Sequence, residues 1–340
     1  MEVRRKYNKH ALNTGKTMTE TLNLKKSFEM KKIGVLMGGI SAEREVSLKS
    51  GSSILDALLR KGYKAVAIDI DVNIANTLKQ SEIDTAFIAL HGIFGEDGSI
   101  QGLLEIAKIP YTGSGLLSSA ISMNKNISKQ IFNYHGFPTP SFQTFISTEK
   151  EINFIKKQIN ISLPFVVKPS EEGSTIGISI VKKDDEVNHA LSAALECNSE
   201  IIIEKFLKGR ELTAAVINGK PLPLIEIIPK SGFYDYQSKY TSGATEYIVA
   251  PAMDKNLGTK IQDLAVKAYH ALYCYGAARV DFILDEENNP SILEINTIPG
   301  MTENSLMPKA AKKAGISFDD LVEKILFGAT LHKNKNQKRN

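Results

Sequence analysis

Thiols are scarce: Cys197 and Cys274 are the two cysteines in 340 residues, far apart and in no C-x-x-C pair. That excludes a disulfide framework and a cysteine-built zinc site, and it fits a reducing, cytoplasmic setting. Long apolar runs are missing too. Nothing approaches the roughly 18–20 residues needed to cross a bilayer, and residues 1–30 have no apolar stretch of the secretory-signal kind. Two common phosphate-binding strings are absent as well. No G-x-x-x-x-G-K-[ST] loop occurs, and the first strand is not followed by G-x-G-x-x-G. Any bound nucleotide must be held by another device.

The body of the chain also lacks an excess of positive charge. Net charge is +4, but residues 1–30 hold seven Lys/Arg against three Glu, and Lys333, Lys335, Lys338 and Arg339 add four more. The segment between therefore carries about −4, and a nucleic-acid surface is not indicated. A hydrophobic content of 42% marks a folded chain. Its 340 residues exceed one comfortable core, so two or three α/β domains are expected. Met30-Lys31-Lys32-Ile33-Gly34 stands directly before the first strand. Residues 1–30 are thus expected to be a disordered leader, and 333–340 a basic tail.

From Ile33 the pattern alternates: strand Ile33–Met37, helix Val46–Lys61, strand Ala65–Asp69, strand Thr85–Leu90, helix 99–107. This predicts an N-terminal α/β domain with a parallel sheet over residues 31–115. Ligands of such sheets bind beyond the carboxyl ends of the strands, where Glu43 and His91 fall. Taken singly, Glu43 is as well explained by the solvated start of a helix, and His91 by a strand end. A helix over 116–135 and strands Phe142–Ile146, Pro164–Pro169, Ile178–Val181 and Ser199–Lys205, with a helix over 184–196, form a central α+β unit over 116–210. Strands Glu211–Ile217 and Lys220–Ile228 and helices over 256–275, 305–314 and 318–330 form a third unit over 211–332. The loop from Pro229 to Tyr247 is too long for an ordinary connection and reads as a lid.

The densest chemistry lies in one hairpin. Along Ala278–Leu284 the side chains alternate, so Arg279 and Asp281 share a side, and on the returning strand Glu294 and Asn296 share one. Two carboxylates and an amide then converge, a hard-oxygen set that suits Mg²⁺. A plain hairpin with one solvated face is the competing reading. Upstream, Glu172-Gly173-Ser174-Thr175-Ile176-Gly177 is a small-residue loop able to fold over phosphates, with Lys168 just before it and Lys125 on an earlier helix as candidate point charges. Ile201–Leu207 has the character of a buried strand ending in donors and acceptors, placed to meet an adenine edge, with Glu211 for a ribose hydroxyl.

In order along the chain stand Gly38-Gly39-Ile40-Ser41-Ala42-Glu43-Arg44-Glu45-Val46-Ser47, Ala89-Leu90-His91-Gly92, Gly95-Glu96-Asp97-Gly98, Pro110-Tyr111-Thr112-Gly113-Ser114-Gly115, Val167-Lys168-Pro169-Ser170 and Glu172-Gly173-Ser174. Tyr234-Asp235-Tyr236, Lys239-Tyr240, Arg279-Val280-Asp281 and Glu294-Ile295-Asn296-Thr297 follow. Together, from about Lys31 to Ala329, they resemble the D-alanine:D-alanine ligase family. The resemblance implies an ATP-grasp fold preceded by a Rossmann-like parallel α/β domain. It also implies ATP and two Mg²⁺ ions (Mn²⁺ as a substitute), two D-alanines per turnover, a cytoplasmic enzyme and a homodimer.

Position by position, it implies that Asp281, Glu294 and Asn296 hold metal, that Lys125, Lys168 and Ser174 meet the phosphates, and that Glu204, Lys205, Leu207 and Glu211 hold adenosine. Arg279, with the Gly300 N–H, would face the developing oxyanion. Glu43 would receive the first D-alanine's ammonium with His91 nearby, and Ser305, Lys239 and Tyr240 the second's carboxylate. A Glu43, Ser174 and Tyr240 network would close flap and lid. Asn124 departs from the family pattern, which has Asp before Lys125.

Overall fold

The computed structural model describes residues 18–147, 151–230 and 243–332. Within them β1 (Lys32–Gly38), β2 (Lys64–Ile70) and β3 (Thr85–Ile88) form a parallel sheet in the order β2-β1-β3. The middle strand β1 is buried at six of its seven positions, as a parallel strand covered on both faces must be. One cover is α2 (Arg44–Arg60), which buries Ile54, Ala57 and Leu58. The connection from β2 to β3 is α3 (Ile74–Ser81), which the sequence pattern did not reveal, and α4 (Ser99–Ala107) follows β3.

Two antiparallel sheets come next. β4 (Phe142–Ile146), β5 (Phe165–Pro169), β6 (Ser179–Val181) and β7 (Glu200–Lys205) are ordered β4-β7-β5-β6, with α7 (Ile152–Gln158) and α8 (Val187–Cys197) alongside. The larger sheet has β8 (Gly209–Ile217), β9 (Lys220–Pro221), β10 (Ile225–Pro229), β11 (Thr245–Val249), β12 (Ala277–Asp285) and β13 (Pro290–Asn296). Its order is β11-β10-β8-β12-β13, β9 pairing with β8, so the expected strand over 220–228 is two pieces. α9 (Lys255–Ala271) lies against it, and α10 (Leu306–Lys313) and α11 (Phe318–Leu326) close the described chain.

Two expectations give way. The helix over 116–135 is α5 (Leu116–Met123) and α6 (Lys125–Tyr134), parted by Asn124 in an extended conformation whose side chain caps α6 through Ile127 N. An Asx side chain offers the backbone this alternative, and it ends one helix by starting the next. The expected disordered leader does not hold for Met18–Glu29, which forms helix α1; its Phe28 is 4% exposed and stacks on Phe327 at 5.7 Å between ring centres. α10 and α11 pack into an apolar cluster that joins β1, β3 and α2 to Ala215 and Ile217 of β8, Ile225 of β10 and Ala277 of β12.

Arg60 at 2.6 Å from Asp319, Lys61 with Asp320, and the Tyr63 hydroxyl donating to Glu323 at 2.7 Å fasten α11 to the end of α2 and the start of β2. Leu321, fully buried at this seam, is its best probe. Leu321→Ala should lower unfolding stability by about 2–5 kcal/mol in urea denaturation. A change within about 0.5 kcal/mol would show that the seam carries no packing energy.

Candidate active site

Alternation on β12 does what the sequence suggested: Arg279 and Asp281 point the same way and form a two-pronged ion pair, Nε to Oδ1 at 2.9 Å and the second guanidinium nitrogen to Oδ2 at 2.8 Å. On one flank β13 sets Asn296 opposite Arg279 and Glu294 opposite Asp281; on the other, β8 sets Thr213 opposite Asp281. A bulge between Asp281 and Phe282 shifts the register there and frees Leu293 from direct pairing. The Thr213 hydroxyl donates to Asp281 Oδ1 at 2.6 Å, and Asn296 Oδ1 accepts from Ile298 N at 2.9 Å. Among the described residues no group of three or more His, Cys, Asp and Glu converges, so a cation here needs the Asn296 amide as its third oxygen. Two carboxylates and an amide on adjacent strands fit a hard cation with open positions left for water and phosphate.

Lys125, first residue of α6, reaches this face. Its Nζ lies 3.5 Å from Glu294 Oε2 and donates to the Glu172 carbonyl at 2.6 Å, so one ammonium joins the β12–β13 carboxylates to the β5–β6 loop. That loop reaches across to the first sheet, where the Ser174 hydroxyl donates to Glu43 Oε1. Gly173 leaves room for the approach: a Cβ there would stand 2.7 Å from Glu43 Oε2 and push that carboxylate aside. Glu43, just before α2, and the small-residue loop are thus brought together although 131 positions separate Glu43 from Ser174. Tyr240 and Lys239 lie outside the described residues.

His91, three residues beyond β3, is buried with its carbonyl accepting from Ser41 Oγ at 2.7 Å, Nε2 3.3 Å from Ser50 Oγ, and Nδ1 3.7 Å from Glu96 Oε1. Burial alone would lower its pKa. Glu96 and, more weakly, Glu43 outweigh that, and the ring is held above the ordinary histidine value against the opposing charge of Arg279. Ser50 Oγ also accepts from Met301 N at 3.3 Å, so it connects His91 with the loop that carries Gly300. Gly300 lies against Ser305, whose Oγ accepts from Thr302 N at 3.0 Å just before α10. Ser50 carried no sequence signal. A serine within a helix is usually surface.

On the second sheet, Lys168 Nζ donates to Glu204 Oε1 at 2.6 Å, and Lys129 Nζ lies 2.8 Å from Glu204 Oε2. Glu204, read as an adenosine contact, therefore faces two ammoniums. The strand end beyond it carries Lys205, exposed, and Leu207, half-buried, while Glu211 sits early on β8 beside Arg210. Lys129 stands in no motif of the sequence. Its one signal is position, a turn beyond Lys125 on the same helix face.

The described chain thus carries a parallel sheet, two antiparallel sheets, and a cation-rich space between a glycine–serine loop and an acidic hairpin. Family models described as D-ala D-ala ligase N-terminus and C-terminus match residues 73–114 and 131–327. The D-alanine–D-alanine ligase of Syntrophotalea carbinolica is 49% identical over 91% of this chain and 99% of its own; that of Carboxydothermus hydrogenoformans is 52% identical over 87% and 97%. The chain belongs to the D-alanine–D-alanine ligase family. The crystal structure of the Bacillus anthracis D-alanine–D-alanine ligase complexed with ATP superposes with a TM-score of 0.77 at 36% identity, covering 90% of this chain and 99% of that one. The VanG D-Ala:D-Ser ligase of Enterococcus faecalis does so at 0.75 and 30%, covering 87% and 99%. The parallel sheet followed by antiparallel ones is accordingly the ATP-grasp architecture of these ligases.

Against the rest of the D-alanine–D-alanine ligase pattern, Asn124 has a local cause. Its amide donates to Glu171 at 2.8 Å and to Glu200 at 3.0 Å while its oxygen caps α6. Aspartate keeps the cap but loses both donors and faces two carboxylates. Asn124→Asp should cost about 1–2 kcal/mol at pH 7. Equal stability of the two proteins in urea at pH 7 would refute the pairing.

Proposed function

We infer that this chain couples ATP cleavage to the joining of two D-alanines, giving D-alanyl-D-alanine, ADP and phosphate for peptidoglycan precursor synthesis. The observation that carries the reading is the Ser174–Glu43 contact, which folds the phosphate-binding loop over the end of the first sheet beside Lys125, Arg279 and Asp281. A carboxylate is a poor electrophile, and phosphorylation turns one of its oxygens into a leaving group. The division follows the sheets: residues 31–115 as the first-substrate domain, 116–210 as the part bearing the phosphate loop, 211–332 as the part bearing the hairpin.

Each residue then has a task. Glu43 takes the ammonium of the first D-alanine, with His91 beside it. Lys125 and Lys168 meet the phosphates, Ser174 closes the loop, and the nucleoside lies along Glu204, Lys205, Leu207 and Glu211. Arg279, with the Gly300 N–H, stabilises the charge that develops on the attacked carboxyl. Asp281, Glu294 and Asn296 would hold Mg²⁺, or Mn²⁺, two ions in all. When bound, the metal offsets phosphate charge and orients the transferred group. The carboxylate of the second D-alanine falls to Ser305, Lys239 and Tyr240. By likeness to the family the enzyme is a cytoplasmic homodimer; among the described residues no helix is long and apolar enough to cross a membrane.

The fold is shared with a D-Ala:D-Ser ligase, so it does not choose the second substrate. The Lys239-Tyr240 pair favours the amine of D-alanine over the hydroxyl of D-lactate. Product analysis with ATP, Mg²⁺ and D-alanine, with D-lactate or D-serine competing, should give D-alanyl-D-alanine as the main product at pH 7–8. A dominant ester, or a mixed dipeptide ending in serine, would reject this choice.

Arg279→Ala should lower kcat by about 10²–10³, the usual cost of one oxyanion donor. Wild-type turnover would remove Arg279 from the site. Glu43→Gln should raise KM for the first D-alanine while leaving ATP affinity nearly unchanged, as initial rates at two D-alanine ranges would show. An unaltered KM would return Glu43 to holding the loop alone.

A further inference from the structure

Lys129 is the least explained charge in the molecule. It is fully buried on α6 and touches Glu204 Oε2 at 2.8 Å, while Thr139 Oγ1 accepts from its Nζ at 2.7 Å and the Phe142 ring lies 5.5 Å below. Thr139 in turn donates to the Ile292 carbonyl of β13 at 2.8 Å. One carboxylate is shared by two buried ammoniums, Lys129 and Lys168, and the cluster is left one positive charge in excess. Burying an unbalanced cation is costly unless an anion answers it.

We propose that Lys129 is a positioning residue of the nucleotide site: it draws Glu204 to one side, sets the position of Lys168 through that carboxylate, and leaves the cluster with the positive charge that an ATP phosphate neutralises. This rests on the placement of Lys168 and Glu204 in the nucleotide site given above. Three observations support it. Glu204 is held from both sides, so its carboxylate cannot turn without releasing an ammonium. Thr139 anchors Lys129 to β13, the strand that carries Glu294 and Asn296, so the cluster is tied to the acidic hairpin. The side chain has no exposed surface, which makes direct contact with substrate unnecessary to its role.

The charge on Lys129 is conditional. Burial pulls its pKa down to about 8, Glu204 opposing the fall and Lys168 adding to it. The charged groups facing it are Glu204 on β7, Lys168 on β5 and Glu294 on β13. A group with a lowered value keeps its proton below that value and loses it above. The positioning charge is therefore present at pH 7 and largely gone at pH 9.

The test is equilibrium binding of ATP with Mg²⁺ and no D-alanine, by calorimetry, for the full-length wild type, Lys129→Met and Lys168→Met at pH 7, 8 and 9. Wild-type affinity should fall as pH rises, and Lys129→Met should bind about tenfold more weakly at pH 7 and lack that part of the pH dependence. Its KM for D-alanine should stay within about twofold, a split that general loosening of the fold would not give. If Lys168→Met weakens binding while Lys129→Met matches the wild type, the inference is overturned and the nucleotide placement stands. If Lys168→Met binds normally, the placement itself has failed. Should Lys129→Met not fold, the wild type decides, since ATP affinity that is flat from pH 7 to 9 overturns the inference.

Discussion

A hydroxyl–carboxylate contact, Ser174 to Glu43, joins the first sheet to the small-residue loop of the second, and the proposed chemistry depends on it. Glu43 belongs to the parallel layer and Ser174 to the loop between β5 and β6 of the second sheet. Lys125 binds the same loop by its backbone at Glu172 and reaches Glu294 beyond. Loop, the Glu43 end of the first sheet and the acidic hairpin are thus linked by three polar contacts, all at half-buried or buried positions where water competes poorly. An acyl phosphate is lost to any water that reaches it, so a loop that closes before transfer separates ligation from plain hydrolysis of ATP.

The cations are arranged by what each can approach. Arg279 is committed to Asp281 by two parallel bonds, which fixes the plane of the guanidinium and also the carboxylate expected to hold metal. Thr213 completes that orientation from the neighbouring strand. Lys168 is committed to Glu204, and Lys125 to a carbonyl. Preorganised groups of this kind need no rearrangement when charge develops, which is where such sites gain most of their effect.

Much of this was legible in the sequence, for a definite reason. Period-two alternation puts Arg279 with Asp281 and Glu294 with Asn296 without any knowledge of neighbours, and strand register then does the rest. The parallel order of β1, β2 and β3 follows equally from alternating strand and helix patterns. What could not be read depends on contacts distant in sequence. Lys129 looks like any surface lysine until α6 is seen packed with β7, and Ser50 like any helix serine until Met301 arrives from 251 residues away. The break at Asn124 reads as a continuing helix, because the cap that stops α5 belongs to α6. Met18–Glu29 is polar enough to pass for a leader, and its one decisive residue, Phe28, finds Phe327 at the far end of the chain.

Closure by Ser174 is the claim that matters most, and it has a direct stoichiometric measure. With ATP, Mg²⁺ and D-alanine, phosphate and D-alanyl-D-alanine should appear one for one in the wild type. In Ser174→Ala, phosphate should exceed dipeptide severalfold as water enters the loosened site. A one-to-one ratio retained in Ser174→Ala, at whatever rate, would contradict the account.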